Sequence, residues 1–260
     1  MTDQAAAPER TSSNGVTVEI RGLHKSFNGT PVLDGVDLTI EPGEIMVIVG
    51  GSGEGKSVLL RHIAGLETPE EGEIRLNGML LPDYLRLQPQ DKPFRISMVF
   101  QSSALLNSLT VGQNVGLRLH EYRSQPRATI EHTVARCLAD VELAGKQHVM
   151  PGDLSGGMRK RVAIARALAV DPQLILYDEP TADLDPILTA QIGALIRSIR
   201  DQHGATQVVV AHNLALAVEI GDHIAVLRGG RIVDYQRADA LEGSSNAFTQ
   251  EFLRAAGLRR

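Results

Sequence analysis

The sequence of 260 residues has a single cysteine, Cys137. One thiol cannot form an internal disulfide, so a reducing compartment is the simpler reading. Cys137 lies among Val134, Leu138 and Val141 at helical apolar spacing, which reads as a buried structural thiol. Long apolar runs are also missing. No stretch approaches the roughly 18 consecutive apolar residues that cross a bilayer. Met1 to Gly15 is polar and Ala-rich, with no apolar h-region. That segment is expected to be a disordered tail rather than a signal peptide or anchor. If the protein works at a membrane, the spanning part is expected on a different chain. Positive charge is not in excess either. Lys and Arg number 26 against 31 Asp and Glu, and the net charge of -5 leaves no global footprint for nucleic acid. What is present is ordinary globular composition, 43% apolar and 22% charged. The length suits one large domain, or one domain with an inserted lobe.

Strand and helix patterns alternate along the chain. Val16 to Arg21 and Val32 to Ile40 alternate apolar and polar residues, a strand pattern. Ile45 to Val49 is a continuous apolar run of the buried parallel type, followed by glycines and a helical pattern from Lys56 to Ala64. Gly72 to Leu76 predicts a strand ending in the Asn77-Gly78 turn. Leu81 to Lys92, with Pro82 and Pro89, predicts a linker with a short helix. Further buried strands are expected at Ile96 to Phe100, Leu174 to Tyr177 and Gln207 to Val210. Helices are expected at Gly156 to Val170, Ile187 to Gln202 and Leu214 to Ile220. Val111 to about Lys146 is helical throughout and reads as an inserted lobe. Ile224 to Leu227 and Ile232 to Tyr235 flank Gly229-Gly230 as a hairpin. The pattern predicts a mainly parallel α/β sheet with an antiparallel part.

Three motifs carry chemistry. Gly50 to Ser57, GGSGEGKS, fits the phosphate-binding loop pattern and sits between a predicted strand and a helix. Its glycines let backbone N–H groups turn toward phosphate oxygens, and the helix N-terminus adds partial positive charge. Lys56 can reach the β- and γ-phosphates, and Ser57 can ligate Mg²⁺. Glu54 would repel a triphosphate unless its side chain faces solvent or a partner. Leu174 to Pro180, LILYDEP, ends a buried strand with two carboxylates, where ligands of open α/β sheets gather. Asp178 would hold Mg²⁺, and Glu179 would orient or deprotonate a water. Alone, such a pair also reads as a solvated turn. Leu154 to Arg161, LSGGMRKR, opens a helix with Ser155, Gly156 and Gly157. It is either an ordinary Ser N-cap or a second anion-binding terminus. Two cradles can serve one nucleotide if the second comes from another subunit.

From Val16 to at least Tyr235 these motifs, in this order, resemble the ATP-binding-cassette (ABC) ATPases. The resemblance implies a P-loop NTPase fold of the ABC type: a mainly parallel core sheet, an antiparallel β subdomain and an inserted α-helical lobe. The ATPase domain would span 16–260 after the tail 1–15, with the helical subdomain at about 104–170. ATP and Mg²⁺ are the implied ligands. Nucleotide would be held by Phe27, stacking on adenine, and by Gly50, Gly51, Ser52, Gly53, Glu54, Gly55, Lys56, Ser57 and Val58. Gln101 would sense Mg²⁺ and the attacking water, and Mg²⁺ would be held by Ser57, Gln101 and Asp178. Glu179, His212 and Gln101 would be catalytic, with His212 on the γ-phosphate. Ser155, Gly156 and Gly157 would reach the partner's nucleotide in a head-to-tail homodimer, and Asp185 would lie on the loop that crosses to the partner. Without the resemblance, Phe27 reads as core and His212 as structural.

Met158 in place of the common Gln, the basic residues Arg159, Lys160 and Arg161, the wording of Phe100 to Val115, and Gly51 in place of Pro resemble one branch. These are the ATPase subunits of Mla/Mce-type lipid transporters, which maintain outer-membrane lipid asymmetry or import lipids. That branch implies an integral membrane permease and a substrate-binding Mce-domain protein as partners. A small STAS-domain protein can also join. Location would be peripheral, on the cytoplasmic face of the inner membrane. Many members carry a tail past the last helix that clasps the partner, and ending at Arg260, soon after Phe252, departs from that pattern. The insert Pro82 to Pro93 has no assigned role. Apolar Ala104, Leu105, Leu106 and Leu109 fit either a helix-in-groove contact with the permease or packing of the lobe. Two further readings stand beside this one: an importer ATPase for amino acids or another small solute, and a soluble regulator of DNA repair or ribosomes. The single cassette, the absence of a coiled-coil insertion and the acidic balance count against the last.

Overall fold

The computed structural model describes residues 14–121 and 126–258. In chain order the elements begin with β1 (Val18–Phe27), β2 (Thr30–Ile40), β3 (Ile45–Val49), α1 (Lys56–Ile63), β4 (Glu71–Leu76), β5 (Met79–Leu80), α2 (Leu81–Arg86) and β6 (Ile96–Val99). Then follow α3 (Val111–Glu121), α4 (Arg127–Asp140), α5 (Gly156–Leu168), β7 (Leu174–Asp178), α6 (Pro186–His203), β8 (Thr206–Ala211) and α7 (Leu214–Ile220). The hairpin strands β9 (His223–Arg228) and β10 (Arg231–Arg237) and the helix α8 (Ala247–Ala255) close the chain.

Two sheets form. One is antiparallel, in the order β2-β1-β4-β5. The β1–β2 hairpin closes through Asn28 and Gly29 at φ 51° and 76°, the positive values that a two-residue hairpin turn demands. The other runs β10-β9-β3-β8-β7-β6 and is parallel except where β10 pairs with β9. The order differs from the order in the chain, because each parallel pair needs a crossover.

Alternation along the central strands divides the core. Ile45, Val47, Val49, Ile175, Tyr177 and Val209 point to one side, with α3 to α7. Met46, Ile48, Leu174, Leu176, Val208 and Val210 point to the other, with α1 and the antiparallel sheet. A strand apolar on both faces must lie in the middle of three layers, which explains the continuous runs in the sequence. Cys137 is fully buried on the first side, and burial pushes its thiol pKa up to about 11, as an inert structural thiol requires.

Several boundaries differ from expectation. β6 stops at Val99, and Phe100 turns out to solvent at 37% exposure, because the β6–β7 pairing ends at Val99 opposite Tyr177. Leu81 to Lys92 contains the expected short helix. It forms α2 and a 3-10 turn at Pro89–Asp91, fixed by Tyr84, whose hydroxyl donates to the Phe94 carbonyl at 3.0 Å and whose ring stacks on Phe94 at 4.7 Å. Most of the tail expected over 1–15 lies outside the described residues. Gly15 itself packs so closely on Gly43 that a Cβ there would sit 2.2 Å from the Gly43 nitrogen.

Candidate active site

Parallel pairing brings four strand ends side by side. Val49 pairs with Ala211, Asp178 with Val210, and Val99 with Tyr177. The segments that follow are the Gly-rich loop, His212, Glu179 and Gln101. One edge of the sheet thus collects residues from four distant parts of the chain, at the carboxyl ends where α/β sheets bind ligands.

The loop from Gly50 to Gly55 is shaped by close approach. A Cβ on Gly50 would meet the Leu227 carbonyl oxygen at 2.3 Å. Gly55 caps α1 at φ 97° and lies 2.7 Å, by the same measure, from the Val32 carbonyl. Only glycine combines that dihedral with that approach. Ser52 and Gly53 are exposed at the tip. The N–H groups of Lys56, Ser57 and Val58 open α1 in its first turn, where an α-helix supplies no carbonyl partner. The Val58 side chain itself packs half-buried against the core.

The charged groups bind one another. Lys56 Nζ donates to the carbonyl oxygens of Gly50 at 3.1 Å and Gly51 at 2.7 Å, and lies 3.3 Å from His212 Nδ1. An ammonium only donates, so Nδ1 is the acceptor and the ring proton is assigned to Nε2, which meets Glu179 Oε1. A chain Lys56–His212–Glu179 results. Burial lowers the Lys56 pKa, opposed by the charges of Glu179, Glu54 and Asp178. Ser57 Oγ donates to Asp178 Oδ1 at 2.6 Å. Glu179 has φ 47°, a left-handed backbone that a non-glycine residue adopts at a cost of about 1–3 kcal/mol, and its N–H is tied to the Val210 carbonyl at 3.1 Å.

Glu54 turns toward the β9–β10 turn. It is half-buried, and its Oε2 accepts from the Gly229 N–H of the β9–β10 turn. That contact directs one carboxylate oxygen away from the loop. Phe27, at the tip of the β1–β2 hairpin, is 41% exposed rather than core, with Lys25 Nζ 5.2 Å from its ring centre. Asp34 of β2 bonds Gly230 and Arg231, so this hairpin leans on the same edge of the large sheet.

The third motif stands on α5. Ser155 Oγ accepts from the Met158 N–H at 3.3 Å, an N-cap, and Gly157 packs against Leu188. Asp185 is exposed and caps α6, with Oδ1 accepting from the Leu188 N–H at 2.9 Å. Gln101 is exposed after β6, with its carbonyl oxygen held by Lys160 Nζ. The sequence singled out Lys160 only as one of three basic residues marking a branch, with no role at Gln101. The signal was its spacing from Gly157, Ile164 and Ala167 on one helix face.

A cleft of about 1160 Å³ opens beside Gln101, between β6, the α2 segment and the helices α3 to α5. Leu66, Leu85, Phe100 and Ala104 line it, with Arg95 and Arg166 among its polar groups. Of the apolar loop residues, Leu105 packs on the core while Leu106 is 46% exposed. Buried Asn114 holds that loop by donating to the carbonyls of Leu106, Leu109 and Thr110.

Known proteins match over the same regions. The family model described as ABC transporter matches residues 33–182, more than half the chain. The "Probable ribonucleotide transport ATP-binding protein mkl" of Mycobacterium tuberculosis is 37% identical over 239 residues, 92% of this chain and 67% of that protein. The sulfate/thiosulfate import ATP-binding protein CysA of the same species is 41% identical over 232 residues, 89% of this chain and 64% of that one. The chain thus spans about two thirds of the length of these curated relatives. Among solved structures, the ATP-binding cassette MJ0796, a dimer in a post-hydrolysis state bound to ADP and Pi, aligns at a TM-score of 0.75 and 32% identity. It covers 85% of this chain and 98% of that one. The phosphate loop, the strand-end carboxylates and the glycines that open α5 all fall within the matched residues, and the chain belongs to the ABC transporter family as an ATP-binding, ATP-hydrolysing subunit.

Proposed function

We propose that this subunit works as a homodimer on an integral membrane permease and powers phospholipid transport in an Mla/Mce-type complex. The observation that carries the ATPase part is the Lys56–His212–Glu179 chain beside the Ser57–Asp178 pair. In this reading Lys56 exchanges the Gly50 and Gly51 carbonyls for β- and γ-phosphate oxygens, and the N–H groups of the loop hold the remainder. Phe27 stacks on adenine. Water attacks the γ-phosphorus, the bond to the β-γ bridging oxygen breaks, and Glu179 orients the water and takes its proton. When nucleotide binds, the single Nε2 proton of His212 passes from its contact with Glu179 to a γ-phosphate oxygen, and Glu179 turns to the water.

Mg²⁺ suits these residues. Ser57 Oγ and Asp178 Oδ1 are hard oxygen donors within reach of one centre, with Gln101 beside them on the neighbouring strand end. Among the described residues no cluster of three or more His, Cys, Asp or Glu could cage a metal alone. Mg²⁺ typically binds by one or two carboxylates plus substrate phosphates, which agrees with that donor set. Once bound, the ion would neutralise charge on the β- and γ-oxygens.

Ser155, Gly156 and Gly157 would serve the partner's nucleotide, with Asp185 at the seam. The dimeric state of the matched cassette supports this arrangement. Ser155→Arg should block only the partner's site. Mixed with Lys56→Ala, it should form some heterodimers with one complete site and recover measurable phosphate release. No recovery would argue against shared sites, or for a strict requirement for both.

The lipid reading draws support from Met158 and its basic neighbours. Met158 packs partly buried on the core, Arg159 donates to the Leu154 carbonyl, and Arg161 donates to the Val141 carbonyl and pairs with Glu142. The permease would enter the cleft beside Gln101, where the α2 segment adds Leu85 to the wall. Among the described residues no helix is long and apolar enough to cross a membrane, in keeping with a peripheral subunit on the cytoplasmic face. A second reading, an importer of a small solute, is favoured by the name of the 41%-identical relative. Purification of the tagged chain in mild detergent separates the two. A multi-spanning permease with an Mce-domain protein, with or without a STAS-domain protein, supports lipid transport. A solute-binding protein supports the importer, and ribosomes or repair factors would sink both.

A further inference from the structure

The buried face of α5 carries a lysine that the reaction above leaves unused. Gly157, Lys160, Ile164 and Ala167 form the inward stripe of the helix, so Lys160 occupies a position that is ordinarily apolar. It is 7% exposed, and its Nζ donates to the carbonyl oxygen of Gln101. Burial lowers its pKa, and the charges of Asp183 and Glu179 oppose that shift, so the ammonium lies within the field of the reaction centre. Farther along the same helix, Arg166 donates from Nη1 to the Ala104 carbonyl at 2.6 Å and from Nη2 to the Ser103 carbonyl at 2.8 Å. Ser103 and Ala104 have φ 63° and 45°. Such left-handed residues persist only where their surroundings hold them. The loop from Gln101 to Ala104 therefore hangs from α5 by three carbonyl contacts, and α5 begins at the Ser155 cap.

We propose that Lys160 is a positioning residue: it sets the backbone, and so the side-chain placement, of Gln101, and joins that loop to the helix that opens at Ser155 to Gly157. The proposal rests on the reading of Gln101 as the residue that senses the metal and the attacking water. Fold stability does not explain Lys160. Desolvating an ammonium is costly, and one neutral carbonyl with the charges of Asp183 and Glu179 leaves that cost only partly offset, since the pKa stays lowered. An apolar side chain of similar length would leave the fold as stable or more so. What such a side chain cannot supply is the donor that fixes the loop. An error of about 1 Å in a positioned group can cost on the order of 10²-fold in rate.

The test uses the full chain. Turnover, KM for ATP and melting temperature are measured for Lys160→Met, Lys160→Arg, Gln101→Ala and the Gln101→Ala/Lys160→Met double variant. Lys160→Met should lower kcat by about tenfold with KM for ATP within about twofold, at an unchanged or raised melting temperature. Lys160→Arg, which restores a donor, should recover most of the rate. In the Gln101→Ala background Lys160→Met should cause no further loss, since residues acting as a unit are not additive. Should the Met variant fail to fold, Lys160→Leu, which carries no donor, should show the same loss of kcat. Wild-type kcat in the Lys160 variants beside an impaired Gln101→Ala overturns the proposal alone. Additive losses in the double variant overturn it as well, placing the action of Lys160 elsewhere. Wild-type turnover in Gln101→Ala overturns the reading of Gln101 and the proposal with it.

Discussion

ATP turnover is expected to fall by about 10²- to 10⁴-fold when Glu179 is replaced by Gln, with ATP binding intact. The substitution keeps shape, and its amide oxygen can still accept from His212 Nε2, where Glu179 Oε1 now lies. In the proposed reaction, what disappears is the proton acceptor for the attacking water. The charge also disappears, and with it one source of repulsion toward a triphosphate, so affinity should hold or improve. With the nucleotide uncleaved, the closed dimer should accumulate. Phosphate release gives the rate, and light scattering with and without MgATP gives the dimer. A variant that hydrolyses at near the wild-type rate would show that Glu179 is not the base. The left-handed backbone of Glu179 makes a second variant useful. Glu179→Ala should lose the rate and also loosen His212, which then lacks its carboxylate partner.

Lys56→Ala should weaken ATP binding more than any other single change. Removing one partner of a buried charged contact costs about 2–5 kcal/mol, roughly thirtyfold or more in Kd. Lys56 is 4% exposed, and its ammonium already sits at the Gly50 and Gly51 carbonyls, on the inner wall of the loop. The charge to be neutralised is large, and the buried position of Lys56 weakens the screening of its ammonium. Stability should move little, because the lost ammonium had paid a desolvation cost in the folded chain. Titration with a fluorescent ATP analogue measures the affinity, and thermal unfolding without nucleotide measures the fold. Unchanged affinity would count against the phosphate-loop reading. A collapse of the melting temperature would instead assign Lys56 a structural role.

Much of the site could be read from local chemistry. A phosphate loop is a short-range object: glycines for unusual dihedrals, a lysine, a hydroxyl and a helix start. Each lies within a few residues of the next, so spacing alone is enough to suggest it. The buried strands were legible for a similar reason, since a run such as Ile45 to Val49 must be covered on both faces. Phe27 was less legible. Its exposure depends on where the β1–β2 hairpin ends relative to the large sheet, and an aromatic residue in a strand otherwise reads as core. The loop from Ala104 to Leu109 divided. Leu105 went to the core and Leu106 to the surface, a choice made by the buried Asn114 beneath them.

By itself the sequence determined which residue types stand at the end of each strand and at the start of each helix. Those follow from backbone dihedrals, helix termini and hydrophobic period, all of which act over a few residues. Only the tertiary structure decided which of those ends meet. The sheet order β3-β8-β7-β6 sets His212 between the phosphate loop and Glu179, although it follows both in the chain. The same packing turned Glu54 toward Gly229 and buried Lys160 beneath Gln101. These contacts join residues 175 and 59 positions apart. No local rule encodes such pairs, because they arise from the closing of layers around a common core.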